Sequence, residues 1–196
     1  AFDGMRSAFG GIDVLVNNAG LGYDAPLLSG ETERWREILE VNVLGLCIAT
    51  REGVASMRER GDDGHVVHIS SMSAHRVPPG AGVYSASKFA VRSLTEGLRG
   101  ELRAAGSQIR VSSISPGFVE TGFAAHYHGN EEAARRMEAE LRGHGLLDDG
   151  GGHGGGGGLG GGPWCGFRFL GALPKMPEQS AAAVSRSVVL IVEWGA

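Results

Sequence analysis

Hydrophobic residues fall along this chain in two alternating patterns. Ile12 to Val16 (IDVLV) is a short, almost continuously apolar run stopped by Asn17-Asn18-Ala19-Gly20, as expected of a buried parallel strand. His65 to Ser70 (HVVHIS) and Ile109 to Ile114 (IRVSSI) repeat that pattern, the latter ended by Pro116-Gly117. Between them apolar positions recur at helical spacing. Trp35, Ile38, Leu39, Val43 and Leu46 make one stripe in a helix predicted over about Thr32 to Arg58. Phe89, Leu94, Leu98 and Leu102 make another in a helix predicted over about Val83 to Ala105.

Strand, helix, strand, helix, strand predicts an α/β fold, a doubly wound Rossmann-type parallel sheet. Phe2 to Phe9 reads as the end of a preceding helix, and Thr121 to Arg142 as a charged, exposed one. Pro177 to Trp194 reads as a last helix, with Pro177 suited to its first turn. The chain is therefore taken as one domain, residues 1–196, with a glycine-rich insertion at about 143–174. Of the 34 glycines, eleven lie between Gly150 and Gly162, a tract that can hold no core and reads as flexible. It opens no helix after a strand, so it is no phosphate-binding loop.

Charge and cysteine content narrow the function classes. A formal net charge of -4 gives no electrostatic reason to expect nucleic acid or an anionic membrane as partner. Two cysteines, Cys47 and Cys165, make no disulfide framework. No basic stretch followed by an apolar one opens the chain, and the longest apolar run, Val188 to Val192, is too short to span a bilayer. A soluble, cytoplasmic protein is expected. His126 and His128 are two apart, diverge on a helix and make poor metal ligands; no metal site is expected.

Candidate chemistry sits at the strand ends. Tyr84 and Lys88 form a Y-x-x-x-K that one helical turn puts on the same face. A phenol with a pKa near 10 trades protons poorly at pH 7 unless its anion is stabilised, which an ammonium within about 4–6 Å can do. The plain alternative is an accidental pair on a surface helix. Lys88 and Lys175 are the only lysines in an arginine-rich chain, which suggests a position needing a compact ammonium. Ser71 lies just past strand His65–Ser70, where ligands of open α/β sheets bind, and can donate to a substrate carbonyl; otherwise it is an ordinary strand-end serine. Asn42 interrupts an apolar stretch, so its amide needs a specific bond. It either holds a water that relays protons to Lys88 or braces a neighbouring loop. Asn17 to Gly20 is either a plain turn or a small-residue platform for a flat cofactor.

The order Asn17-Asn18-Ala19-Gly20, Asn42, Ser71, Tyr84, Lys88, Pro116-Gly117 resembles the short-chain dehydrogenase/reductase family at every one of those places. The resemblance covers Phe9 to about Ala125, and the final helix more loosely. It implies an NAD(P)(H)-dependent oxidoreductase that interconverts ketones and secondary alcohols, with NADP(H) preferred, steroid ketones and other carbonyl compounds as substrates, and a homo-oligomeric state. By the same resemblance Tyr84 is the acid/base, Lys88 lowers its pKa and holds the nicotinamide ribose, Ser71 orients the carbonyl and Asn42 completes the relay. Asn17 and Gly20 line the adenosine side of the cofactor, and Pro116, Gly117, Val119 and Thr121 flank the nicotinamide.

The family pattern opens with a strand and a glycine-rich loop at a helix N-terminus. Neither is present before Ile12, and no strand is expected after the last helix. The expectation is an incomplete sheet in a partial sequence, inactive by itself, with strand Ile12–Val16 left as an unpaired apolar edge. The rival reading is a catalytically inactive, truncated relative that acts as a binding or interaction protein.

Overall fold

The computed structural model describes residues 2–118, Phe123, Tyr127, Glu132, Arg135, Arg136, Ala139, Arg142, Gly143 and Val189–Val192. Strands β1 (Val14–Asn17), β2 (His65–Ile69), β3 (Arg110–Ile114) and β4 (Val189–Val192) form one sheet in the order β3-β2-β1-β4. Every neighbouring pair is parallel. The helices are α1 (Phe2–Phe9), α2 (Thr32–Leu39), α3 (Leu46–Glu59) and α4 (Gly82–Ala104). The three central strands and the helices between them follow the predicted order within a residue or two.

Three expectations are corrected. The segment 177–194 was read as a helix, yet Val189–Val192 is a strand parallel to β1, with Asn17 opposite Val192. A run of Val, Leu, Ile and Val suits a pleated strand at least as well as a helix, and the pairing supplies the partners that decide it. The same pairing fills the flank of β1 expected to lie open. The predicted helix Thr32–Arg58 is also not one regular helix: a π-helical segment, Glu40–Gly45, joins α2 to α3. The widened turn shifts the stripe, so Val41 and Asn42 turn inward while Leu39 is 46% exposed. The tract from 144 to 188, with the insertion predicted there, lies outside the described residues.

One sheet face changes character along its length. Leu15 and Val66 are paired neighbours, and both are fully buried with Ile12, Met57, Leu102 and Ile109. A Cβ at Gly53 would lie 2.7 Å from Leu15 Cδ2, so α3 sits directly on β1 there. Two residues further toward the carboxyl ends, on the same face, the paired neighbours are Asn17 and His68, equally buried but polar. Dry core thus gives way to a hydrogen-bonded layer at the strand ends, where open α/β sheets bind ligands.

Candidate active site at the carboxyl ends of the strands

Tyr84 and Lys88 lie in the first turns of α4, and the helix puts them on one face as the spacing predicts. Lys88 is 5% exposed, and its Nζ donates to the Ile69 carbonyl at the end of β2 (3.2 Å). Burial lowers its pKa to about 8. The ammonium lies 5.8 Å from the centroid of the Tyr84 ring. Ser71 follows β2 in extended conformation, its Oγ accepting from Ser73 N (3.1 Å) as a short 3-10 turn begins. The Ser71 side chain lies near enough to Tyr84 to favour its ionised form.

The electrostatics differ from the sequence expectation in one respect. Burial raises the Tyr84 pKa, and the Ser71 side chain, not the ammonium of Lys88, opposes that rise. Lys88 Nζ donates to the Ile69 carbonyl and lies over the Tyr84 ring. The phenol is therefore protonated at neutral pH in this arrangement.

Asn42 is 1% exposed, in the π-helical segment. Its Oδ1 accepts from Leu21 N (2.9 Å), and its Nδ2 donates to Leu21 O (2.8 Å) and to Ser87 Oγ (3.0 Å). Both amide protons are thereby used. Its side chain therefore braces the loop after β1. The loop it holds passes close to the other site residues. A Cβ at Gly20 would lie 3.3 Å from Lys88 Nζ, and one at Gly22 would lie 2.8 Å from Tyr84 Cδ2. Only glycine fits both places without a shift.

Asn17 donates from Nδ2 to Thr50 Oγ1 (2.9 Å), which meets His68 Nε2 (3.2 Å); His68 Nδ1 meets Thr95 Oγ1 (2.9 Å), which donates to the Val91 carbonyl (2.8 Å). A carbonyl only accepts, so each proton in this chain has one direction, and His68 must carry its hydrogen on Nδ1. Burial, aided by the positive charge of Arg99, lowers the His68 pKa to about 4. The chain ends on Asn17 Oδ1, a buried acceptor with no hydrogen-bond partner among the described residues.

Phe123 and Tyr127, one helical turn apart, cover the Tyr84 ring, with centroids 5.6 and 6.1 Å from it. Burial, then the charge of Asp24 and the neighbouring Tyr84, push the Tyr127 phenol up to about 12. Pro116 accepts from Met72 N (2.9 Å), tying the loop after β3 to the turn after Ser71. Among the described residues, a Cβ at Gly117 would meet nothing within 4 Å. Val119 and Thr121 lie outside the described residues.

Residues 1–132 match the short chain dehydrogenase family. The chain belongs to that family. This short-chain dehydrogenase is 52% identical over 143 residues to dehydrogenase/reductase SDR family member 11 of Gallus gallus, a match covering 70% of this chain and 56% of that protein. It is 47% identical over 123 residues to farnesol dehydrogenase of Aedes aegypti, covering 61% and 50%. Among solved structures, a short chain dehydrogenase/reductase from Burkholderia phymatum in complex with NAD superimposes with a TM-score of 0.64 at 32% identity, covering 71% of this chain and 55% of that one. The closed form of serine dehydrogenase complexed with NADP+ superimposes with 0.61 at 31% identity, covering 71% and 56%. The chain spans little more than half the length of these relatives.

Sequence reasoning missed Gly22, Thr50, Ser87, Thr95, Phe123 and Tyr127 as parts of this dehydrogenase's site. For α4 a signal was present. Ser85, Ser87, Lys88, Val91, Thr95 and Leu102 are its buried residues, and most are polar. Small polar residues recurring on one face of a helix mark a hydrogen-bonded contact that a hydrophobicity stripe passes over.

Proposed function

We propose that the whole protein is an NAD(P)(H)-dependent oxidoreductase that reduces ketones to secondary alcohols and catalyses the reverse oxidation. The observation that carries this reading is the meeting of Tyr84, Ser71 and Lys88 at the carboxyl end of β2. The residues suit a nicotinamide nucleotide. Gly20 sets bare backbone against Lys88, and Asn17 Oδ1 is a buried acceptor without a donor among the described residues. Lys88 would hold the nicotinamide ribose, and Asn17 and Gly20 the adenosine side.

When bound, the nicotinamide supplies the hydride. The chain's own residues handle the proton and the oxygen. Tyr84, protonated at neutral pH, gives its phenolic proton to the carbonyl oxygen as negative charge gathers there. Ser71 donates a hydrogen bond to the same oxygen. Lys88, kept close by the Ile69 carbonyl, then favours the phenolate left behind once it faces that oxygen. Asn42 contributes by holding the loop of Gly20 and Gly22 against these groups.

NADP(H) as the preferred cofactor, steroid ketones among the substrates and a homo-oligomeric state follow from the family likeness. Oxidation of NADPH at 340 nm with a diketone or a steroid ketone tests the reading. It should be run on this chain and on the chain joined to the N-terminal strand and glycine-rich turn of a relative. Ketone-dependent oxidation in the joined protein is expected; its absence with both NADPH and NADH would refute the reading.

A further inference from the structure

We propose that Ser87 is a positioning residue, the link that fixes Tyr84 and Lys88 against the loop Gly20-Leu21-Gly22. The proposal rests on the functional reading above and adds to it a side chain that touches neither substrate nor cofactor.

Ser87 is fully buried, and its Oγ lies 2.6 Å from the Tyr84 carbonyl and 3.0 Å from Asn42 Nδ2. The carbonyl can only accept, so the serine hydroxyl donates to it. With its one proton spent, the oxygen must accept from Asn42. That fixes the Asn42 amide with its oxygen toward Leu21 N, the orientation in which both backbone groups of Leu21 are satisfied. A reversed amide would set two acceptors against each other at Ser87 and two donors at Leu21 N. The hydroxyl therefore reinforces the orientation that the two bonds to Leu21 require.

Leu21 is the middle of the loop, and its side chain packs with Ile38 and Val41. Residues two apart in an extended segment point the same way. Gly20 and Gly22 both face the start of α4, one against Lys88 Nζ and the other against the Tyr84 ring. The contacts close a ring: Tyr84 backbone, Ser87, Asn42, Leu21, then the two glycines back to Lys88 and Tyr84. A serine bonded only to the carbonyl three residues earlier in its helix would be a local feature. The bond accepted from Asn42 makes this one a bridge between α4 and the loop after β1.

The test uses the 196-residue chain labelled with 13C at lysine Cε. It contains two lysines, Lys88 and Lys175, so Lys88 can be assigned by comparison with a Lys175→Arg variant. Lys88 should titrate near 8 in the wild type. In Ser87→Ala the loop loosens, water reaches the ammonium, and the midpoint should rise by about one pH unit. Ser87→Thr, which keeps the hydroxyl, should return it to the wild-type value. In the joined protein, Ser87→Ala should lower kcat about tenfold or more and leave the KM for NADPH within about twofold. An unchanged Lys88 midpoint in folded Ser87→Ala, or a Thr variant that fails to restore it, would overturn the proposal. If Ser87→Ala does not fold, Ser87→Cys, a weaker donor of similar size, takes its place with the same expectations. A wild-type protein with no turnover would count against the functional reading alone, and the Lys88 titration would still decide the role of Ser87.

Discussion

Gly22 stands so close to Tyr84 that a methyl group on its Cα would lie 2.8 Å from the ring, with Phe123 and Tyr127 at 3.0 Å on the remaining sides. Gly22→Ala should push the ring off its position, because three packed aromatics leave the methyl no free volume. Turnover should fall about a hundredfold, and stability by about 1–3 kcal/mol. Steady-state kinetics beside a denaturant melt would separate the two effects. A variant with wild-type activity would mean that the ring position does not matter to the chemistry.

Tyr84→Phe removes the hydroxyl proposed as the proton donor while keeping the ring among Gly22, Phe123 and Tyr127. Ketone reduction should fall by about 10²–10⁴-fold. Cofactor affinity, followed by quenching of protein fluorescence, should hardly change. Residual turnover close to wild type would assign the proton to another group.

Lys88→Met should produce an inactive protein that is more stable at pH 7. Moving the lysine pKa from 10.5 to about 8 means that the folded state disfavours the ammonium by roughly 3 kcal/mol. Loss of the bond to the Ile69 carbonyl gives back about 1–3 kcal/mol. The sign follows from the lowered pKa: the wild type gains stability as pH rises from 8 to 10.5, while the variant does not. The difference in melting temperature between them should therefore shrink across that range. A constant difference would contradict the burial of a charged Lys88.

Acid stability should depend on His68. Its pKa falls from 6.5 unfolded to about 4 folded, so the unfolded chain binds the extra proton between those values. Stability from this group is complete above pH 6.5 and is lost as pH falls toward 4, a total of about 3 kcal/mol. His68→Asn should flatten that part of the profile. Urea melts at pH 7 and pH 4.5 on both proteins would measure the difference, and equal slopes would rule out His68 as its source.

The frame of the fold could be read from periodicity because it depends on burial alone. Leu15 and Val66 are apolar and buried within β1 and β2, and Ile12 and Ile109 are buried just before β1 and β3, so the strand positions emerged directly. Tyr84, Lys88 and Ser71 could be read because their chemistry is tied to a helical turn and a strand end. Asn42 showed that it needed a partner, but not which one; Leu21 and Ser87 come to it from distant parts of the chain. The π-helical segment was invisible, since one widened turn changes which side chains face inward without changing composition. Val189–Val192 was misjudged because a short apolar run has no period of its own. Its assignment depends on a partner strand that lies elsewhere.

The parallel pairing of β4 with β1 joins segments from far-separated parts of the sequence. During synthesis β1 leaves the ribosome long before residues 189–192 exist, while β2 and β3 can already dock on its other side. Within residues 1–196, that flank of β1 is filled only once residues 189–192 have been made. Pairing of such high contact order forms slowly, so nascent chains of this protein should lean on chaperones for longer than the order of their central strands suggests.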